Sequence, residues 1–237
     1  MTLAQLLVLQ AHDSAMDRLR HQRAQLPELQ AIADCDDEAA HLHEHRAVLE
    51  EQRHALSREQ KRHEDEVAII EDRRASENDR LYSGTVTAHK DLQAIQAELD
   101  VLAQRQEAIE DQVLELMEQA EPLDEGLASF DTRLAQVAER RLGIETQLAE
   151  SEAAIDAEIS SEQDDRERAA SEVDAGLLGA YERTRADLGG IAVGRLNGKT
   201  CEGCHLQLSA VDFDRIRKEP ADAVIPCPEC ERILVRD

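Results

Sequence analysis

Residues 92–155 read LQAIQAELDVLAQRQEAIEDQVLELMEQAEPLDEGLASFDTRLAQVAERRLGIETQLAESEAAI. Alternating steps of three and four from Leu92 land on Ile95, Leu99, Leu102, Gln106, Ile109 and so on to Ile155, and 16 of these 19 positions are apolar. The exceptions are Gln106, Arg141 and Ser151. A straight α-helix drifts by about 20° per heptad from a strict seven-residue repeat. A register held this long therefore needs a supercoiled partner helix. The stretch is a coiled-coil seam.

The partner lies upstream. Leu42, Leu49, Leu56 and Ile70 hold one seven-residue line, with His63 filling its gap. The alternate line, Ala39, Arg46, Arg53, Gln60, Val67, Arg74 and Leu81, is largely polar, so this seam is under-filled. Long arginine stems can cover apolar surface there while their heads stay in water. Cys35 falls seven residues before Leu42, which predicts a small core residue rather than a nucleophile. Between the two seams runs LYSGTVTAH, residues 81–89, where Gly84 and three β-branched residues are poor helix formers. Residues 1–188 are thus expected to form a long antiparallel helical hairpin turning near 81–89. Pro27 and Pro122 are expected to kink or break its arms. Folding back at about residue 85 would set Pro27 opposite the neighbourhood of Gly143.

Composition agrees. The 237 residues carry 52 Asp+Glu against 27 Lys+Arg, a formal charge of −25, and four aromatic residues: Tyr82, Phe130, Tyr181 and Phe213. That is too little aromatic area for one large globular core. No stretch approaches the 18 or so uncharged apolar residues of a membrane span. The opening MTLAQLLVLQAHDSAMD has neither a basic n-region nor a small-residue cleavage site, so a cytoplasmic location is expected.

Past Gly189-Gly190 the pattern changes to a small module, residues 189–237. IAVGRL, Asn197-Gly198 and KTC predict a β-hairpin with a primed turn. Ser209 and Asp212 frame a helical turn to about Lys218, and 224–225 and 233–235 look like short strands. Cys201-Glu-Gly-Cys204 and Cys227-Pro-Glu-Cys230 are two C-x2-C pairs 22 residues apart. Two such knuckles can complete a tetrahedral S4 shell, which favours zinc over iron in a module too small to fold on a core of its own. Four cysteines leave no open position for water, so the metal is structural. The competing reading of two disulfides needs an oxidising compartment that nothing here indicates.

With those residues in view, CEGCHLQLSAVDFDRIRKEPADAVIPCPECERILVR (201–236) resembles the C4-type zinc ribbon attached to bacterial coiled-coil proteins. LYSGTVTAHKDLQAIQAEL (81–99) is similar to the turn between that family's two long helices. Asp91 stands where the family has Glu, and Ala97 where members often have His. The resemblance implies a kinked hairpin with a zinc ribbon at its base, ligands Cys201, Cys204, Cys227 and Cys230, no enzymatic activity, and a link to gene regulation by binding a transcription factor or RNA.

Two further surfaces follow from the residues. Leu81, Tyr82 and Val86 at the turn could dock a protein, although the simpler reading has the Tyr82 ring capping the coiled-coil core. In the ribbon, Arg215, Arg217, Lys218 and Arg232 could meet nucleic acid. Residues 190–237 carry seven basic against eight acidic side chains, whereas the first 189 carry 20 against 44. The helices should therefore repel phosphate and leave the ribbon as the only nucleic-acid surface. His41 and His45 share a helical face with no further motif beside them and are expected in solvent, while His205 follows a site that four cysteines already fill and is expected either just behind the ligands or exposed. No phosphate-binding loop is present. The expected protein is a non-enzymatic, zinc-binding adaptor, a monomer or antiparallel dimer, for a basic or transcription-related protein partner. Direct nucleic-acid binding and a purely structural spacer are the alternatives.

Overall fold

A computed structural model describes residues 3–220 and 222–236. In chain order the elements are α1 (Ala4–Ala24), α2 (Pro27–Tyr82), α3 (His89–Ser171), α4 (Ala175–Asp187), β1 (Val193–Asn197), β2 (Thr200–Cys201), α5 (Ala210–Lys218) and β3 (Ile233–Val235). The protein is a hairpin of long antiparallel helices followed by a small three-stranded sheet. Among the described residues no helix is long and apolar enough to cross a membrane. Packing divides the chain into two compact units: Ala31–Gly143, and Met1–Gln30 together with Ile144–Asp237.

The first unit is the turn-bearing part of the hairpin. Every position of the α3 stripe from Leu92 to Ile155 is buried or half-buried, Gln106 and Arg141 included. On α2, Cys35, Leu42 and Ile70 are buried, and the polar line of Arg46, Arg53, Gln60 and Arg74 is half-buried. The arginine stems lie over the seam while their heads reach across to α3. Arg46 donates to Asp131 at 2.8 Å and Arg53 to both oxygens of Asp124, and from the α3 side Arg141 donates to Asp36 of α2 at 2.7 Å. Exposed pairs of this kind are each worth under about 1 kcal/mol, so the apolar line carries stability and the pairs fix register. At the turn, Gly84 (φ +72) ends α2 in the left-handed conformation that favours glycine. The Ser83 and Thr85 hydroxyls meet at 2.7 Å.

The two prolines behave differently. Pro27 opens α2 after α1 has ended at Ala24, a position where its missing N–H costs nothing. Pro122, expected to kink or break its arm, leaves α3 continuous. One lost hydrogen bond is outweighed by the buried seam beside it at Leu116 and Ala120. The fold-back register also differs from expectation. Ser151, not Gly143, sits beside Pro27's neighbour Glu28, at 3.1 Å, about two turns farther along α3.

In the second unit, α1, α4 and the end of α3 pack around the sheet. Leu3, Leu6, Leu9, Val173, Tyr181, Ala192, Val193, Ile233 and Val235 form one buried cluster. The strand order is β2-β1-β3: β1 pairs antiparallel with β2 (Leu196 with Cys201) and parallel with β3 (Gly194 with Leu234). The primed turn occurs one residue later than its sequence reading. Gly198-Lys199 is the loop, and only Gly198 has positive φ, the signature of type II′. Residues 224–225 do not form a strand. A single bridge joins Pro226 to Ile233, and a residue without N–H cannot extend the ladder. Helix α5 starts where Ser209 Oγ accepts from the Asp212 N–H at 3.0 Å, and Arg236 donates to the carbonyls of Ile216 and Glu219 at its end.

Candidate metal centre

The ribbon brings its two cysteine pairs together by building the same loop twice. In the first, Cys201 N–H donates to the Leu206 carbonyl at 3.0 Å, and His205, at φ +61, returns its N–H to the Cys201 carbonyl at 2.7 Å. In the second, Cys227 N–H donates to the Arg232 carbonyl at 2.7 Å, and Glu231, at φ +62, returns its N–H to Cys227 at 2.9 Å. His205 and Glu231 are the non-glycine residues of positive φ among the described residues. Each follows the second cysteine of its pair, where the chain must reverse.

The four sulfurs lie within 4.8 Å of one another, the one such His/Cys/Asp/Glu group among the described residues. A tetrahedral thiolate shell with bonds near 2.3 Å sets its sulfurs about 3.8 Å apart, so this group needs only slight contraction around an ion. Cys201 and Cys227 are buried, Cys204 and Cys230 half-buried, and none is disulfide-bonded. Without a metal, burial pushes the Cys227 thiol up to about 12 and raises Cys204. Burial also acts on Cys230, but the Arg232 N–H and side chain and the neighbouring thiols outweigh it and hold Cys230 below the usual thiol range. A cation binding here must displace protons, so affinity falls as pH falls. Soft donors, a closed shell and no position left for water fit a structural ion, with zinc first.

Two glycines make room for this packing. A Cβ on Gly194 would stand 2.9 Å from both Cys201 Sγ and the Gly203 backbone nitrogen. Gly194→Ala should therefore lower metal affinity on the order of tenfold or more, measured by competition with a chromophoric chelator. Unchanged affinity would show that the loop yields.

The other sequence-selected residues separate into free and engaged groups. Arg217 and Lys218 are exposed on α5. Arg215 is paired with Asp212 at 3.0 Å, and Arg232 donates to the Ile191 carbonyl at 3.0 Å, which makes Arg232 a fastening of the ribbon. His205, His41 and His45 are in solvent, with His45 stacked beside Phe130. At the turn, Leu81 and Val86 are half-buried. Tyr82 does not cap the core: its side chain is 78% exposed.

One constellation has no local sequence signal. Asp13, 2% exposed, accepts from Tyr181 Oη at 2.5 Å and Arg166 Nε at 2.9 Å, with Arg185 Nε at 3.5 Å. One turn away, Gln10 accepts from the Ala192 N–H at 2.6 Å and donates to the Gly190 carbonyl at 3.0 Å. This ties the linker before β1 to α1. The partners lie about 150 residues or more apart in sequence, beyond the reach of any periodicity.

Residues 9–189 match the CT398-like coiled coil hairpin domain family and residues 200–234 the C4-type zinc ribbon domain. The chain is 32% identical over 232 residues to uncharacterized protein Rv2229c of Mycobacterium tuberculosis, covering 98% of this chain and 94% of that one. Among solved structures it resembles a Mycobacterium smegmatis protein (TM-score 0.87, 23% identity, 99% and 98% of the two chains). It also resembles CT398 of Chlamydia trachomatis (TM-score 0.70, 21% identity, 99% and 97%). A helical hairpin matched across residues 9–189, joined to a C4 ribbon whose four thiols converge, makes this chain a member of the CT398-like coiled-coil hairpin family.

Proposed function

We propose that the chain is a non-enzymatic adaptor that binds a protein partner through the turn of its hairpin and acts in transcription or RNA regulation. The observation that carries this reading is Tyr82, 78% exposed beside half-buried Leu81 and Val86 on a turn braced by Gly84 and the Ser83–Thr85 hydroxyl contact. A large exposed aromatic on an ordered support is the side-chain type that anchors interfaces. The surplus of 25 negative charges suits a basic partner. Zinc, held by the four cysteines, orders the ribbon as a second contact surface.

A second reading, direct nucleic-acid binding, is favoured by Arg217 and Lys218. Both are exposed and, among the described residues, without a carboxylate partner. The pairing of Arg215 and Arg232 within the ribbon weakens this reading. Capture from lysate with the zinc-loaded protein, with and without nuclease, separates the two. The adaptor reading expects a nuclease-resistant protein that is lost with Tyr82→Ala and kept when Arg215, Arg217 and Lys218 are reversed to Glu. The opposite pattern, with a salt slope that flattens on charge reversal, would establish nucleic-acid binding. Indifference to both sets would leave a structural spacer.

A further inference from the structure

We propose that the side of the hairpin around Met117 is a second docking site, an acidic groove that takes a basic amphipathic helix of a partner protein. The inference rests on the adaptor reading for the existence of a protein partner, but not on the turn or on Tyr82. Its origin is a mismatch in the seam. Arg53 and Gln60 stand on α2 where a coiled coil would carry large apolar side chains, and with Leu114, Met117 and the small Ala120 of α3 they line a groove of about 610 Å³. On its α3 wall Leu114 and Met117, one turn apart, are 57% and 50% exposed. Both lie outside the covered stripe of Val113, Leu116 and Ala120.

Charge gives the wall its selectivity. Asp124, in the same lining, is neutralised by Arg53, as Asp131 farther along α3 is by Arg46. Glu118, Glu121 and Glu125 line the groove along with Leu114 and Met117 and meet no cation among the described residues. Pro122 adds a further acceptor, because it has no N–H to give the Glu118 carbonyl. A groove running between two antiparallel helices takes a third rod laid along them, and apolar contacts one turn apart match the spacing of a helix stripe. Lys or Arg on the flanks of that stripe would meet the three carboxylates. A second copy of this chain would bring 25 more negative charges to the same place, and nucleic acid would bring phosphates. Both are disfavoured by like charge.

The probe is a synthetic Lys/Leu amphipathic peptide of about 18 residues, five helical turns, labelled for fluorescence anisotropy against the full chain. The expected result is saturable binding that weakens about tenfold in Leu114→Ser/Met117→Ser, the loss of one or two partly buried apolar contacts. Glu118→Gln/Glu121→Gln/Glu125→Gln should weaken it similarly and flatten its salt dependence. Glu139→Gln/Glu150→Gln/Glu158→Gln, matched in net charge, should leave affinity within about twofold, a difference of less than 0.5 kcal/mol. Thermal melts check that these surface variants stay folded. Equal weakening by the matched control, or equal binding of a Leu→Ser peptide, would reduce the attraction to diffuse charge and overturn the proposal. So would self-association in sedimentation that the Leu114→Ser/Met117→Ser variant abolishes, since the occupant would then be a second copy. Tyr82→Ala should leave peptide affinity unchanged, so failure at the groove and failure at the turn are read separately.

Discussion

Stripping the metal from the ribbon, or replacing Cys227 by Ser, should unfold residues 193–236 while the long helices persist. The ribbon's own buried cluster is Leu196, Cys201, Leu208, Ile216, Cys227 and Leu234, and two of those six are ligands. A cluster of that size does not hold a module of this length, whereas structural zinc in small C-x2-C modules contributes on the order of 10 kcal/mol at neutral pH. Far-UV circular dichroism should change little on chelation, because α2 and α3 dominate it. Hydrogen exchange should show β1, β2, β3 and α5 losing protection together. Acid should mimic the chelator, since protons compete for four thiols and one of them, Cys227, is pushed up to about 12 without metal. Persistent protection of β1 and β3 after complete metal removal would show that packing on α1 and α4 suffices.

Asp13→Ala should be the most destabilising single substitution outside the ribbon, by about 3–5 kcal/mol, the range for removing one partner of a buried ion pair. Its carboxylate is 2% exposed, accepts from Tyr181 and Arg166, and pairs by charge with Arg185 at 3.5 Å. Without it two guanidinium groups lose their common anion and the Tyr181 hydroxyl its acceptor. Burial, then Asp13, raises the Tyr181 phenol far above its usual range, so the hydroxyl remains a donor through alkaline pH. Tyr181→Phe keeps the ring packing and both arginine contacts and should cost about 1.5 kcal/mol, the low end for a hydrogen bond to a charged group. Urea titrations with hydrogen exchange over α1 and α4 measure both. A loss under 1 kcal/mol for Asp13→Ala would mean that Glu182 and Asp17, which also pair with Arg166 and Arg185, take over the charge.

The elements legible in the sequence were those fixed by short-range repeats. The seven-residue stripe gave α3 and its buried face position by position, the weak Gly84 segment gave the turn, and the C-x2-C spacing gave the four cysteines whose thiols converge. Even the polar line of α2 behaved as its chemistry suggests, with arginine stems lying over the seam. What stayed hidden depends on contacts between distant segments. Leu6 and Leu9 look like any apolar helix start, yet they carry the ribbon's strands. Asp13 looks like a surface acid until Tyr181, Arg166 and Arg185 arrive from the far end of the chain. The Tyr82 ring is expected to cap the end of the core, but α2 stops there and Tyr82 stays exposed. Pro122 was expected to disturb a helix that its buried seam keeps continuous.

On the function proposed above, this chain works by holding a protein at the turn of its hairpin. Site-specific photo-crosslinking in cells tests that most directly, with a benzophenone amino acid placed at Tyr82 in one version and at Arg217 in another. Nuclease-resistant adducts to a discrete protein from the Tyr82 position, weaker or absent from Arg217, are the expected result. Nucleic-acid adducts from Arg217 with none from Tyr82 would contradict the claim and move the function to the ribbon.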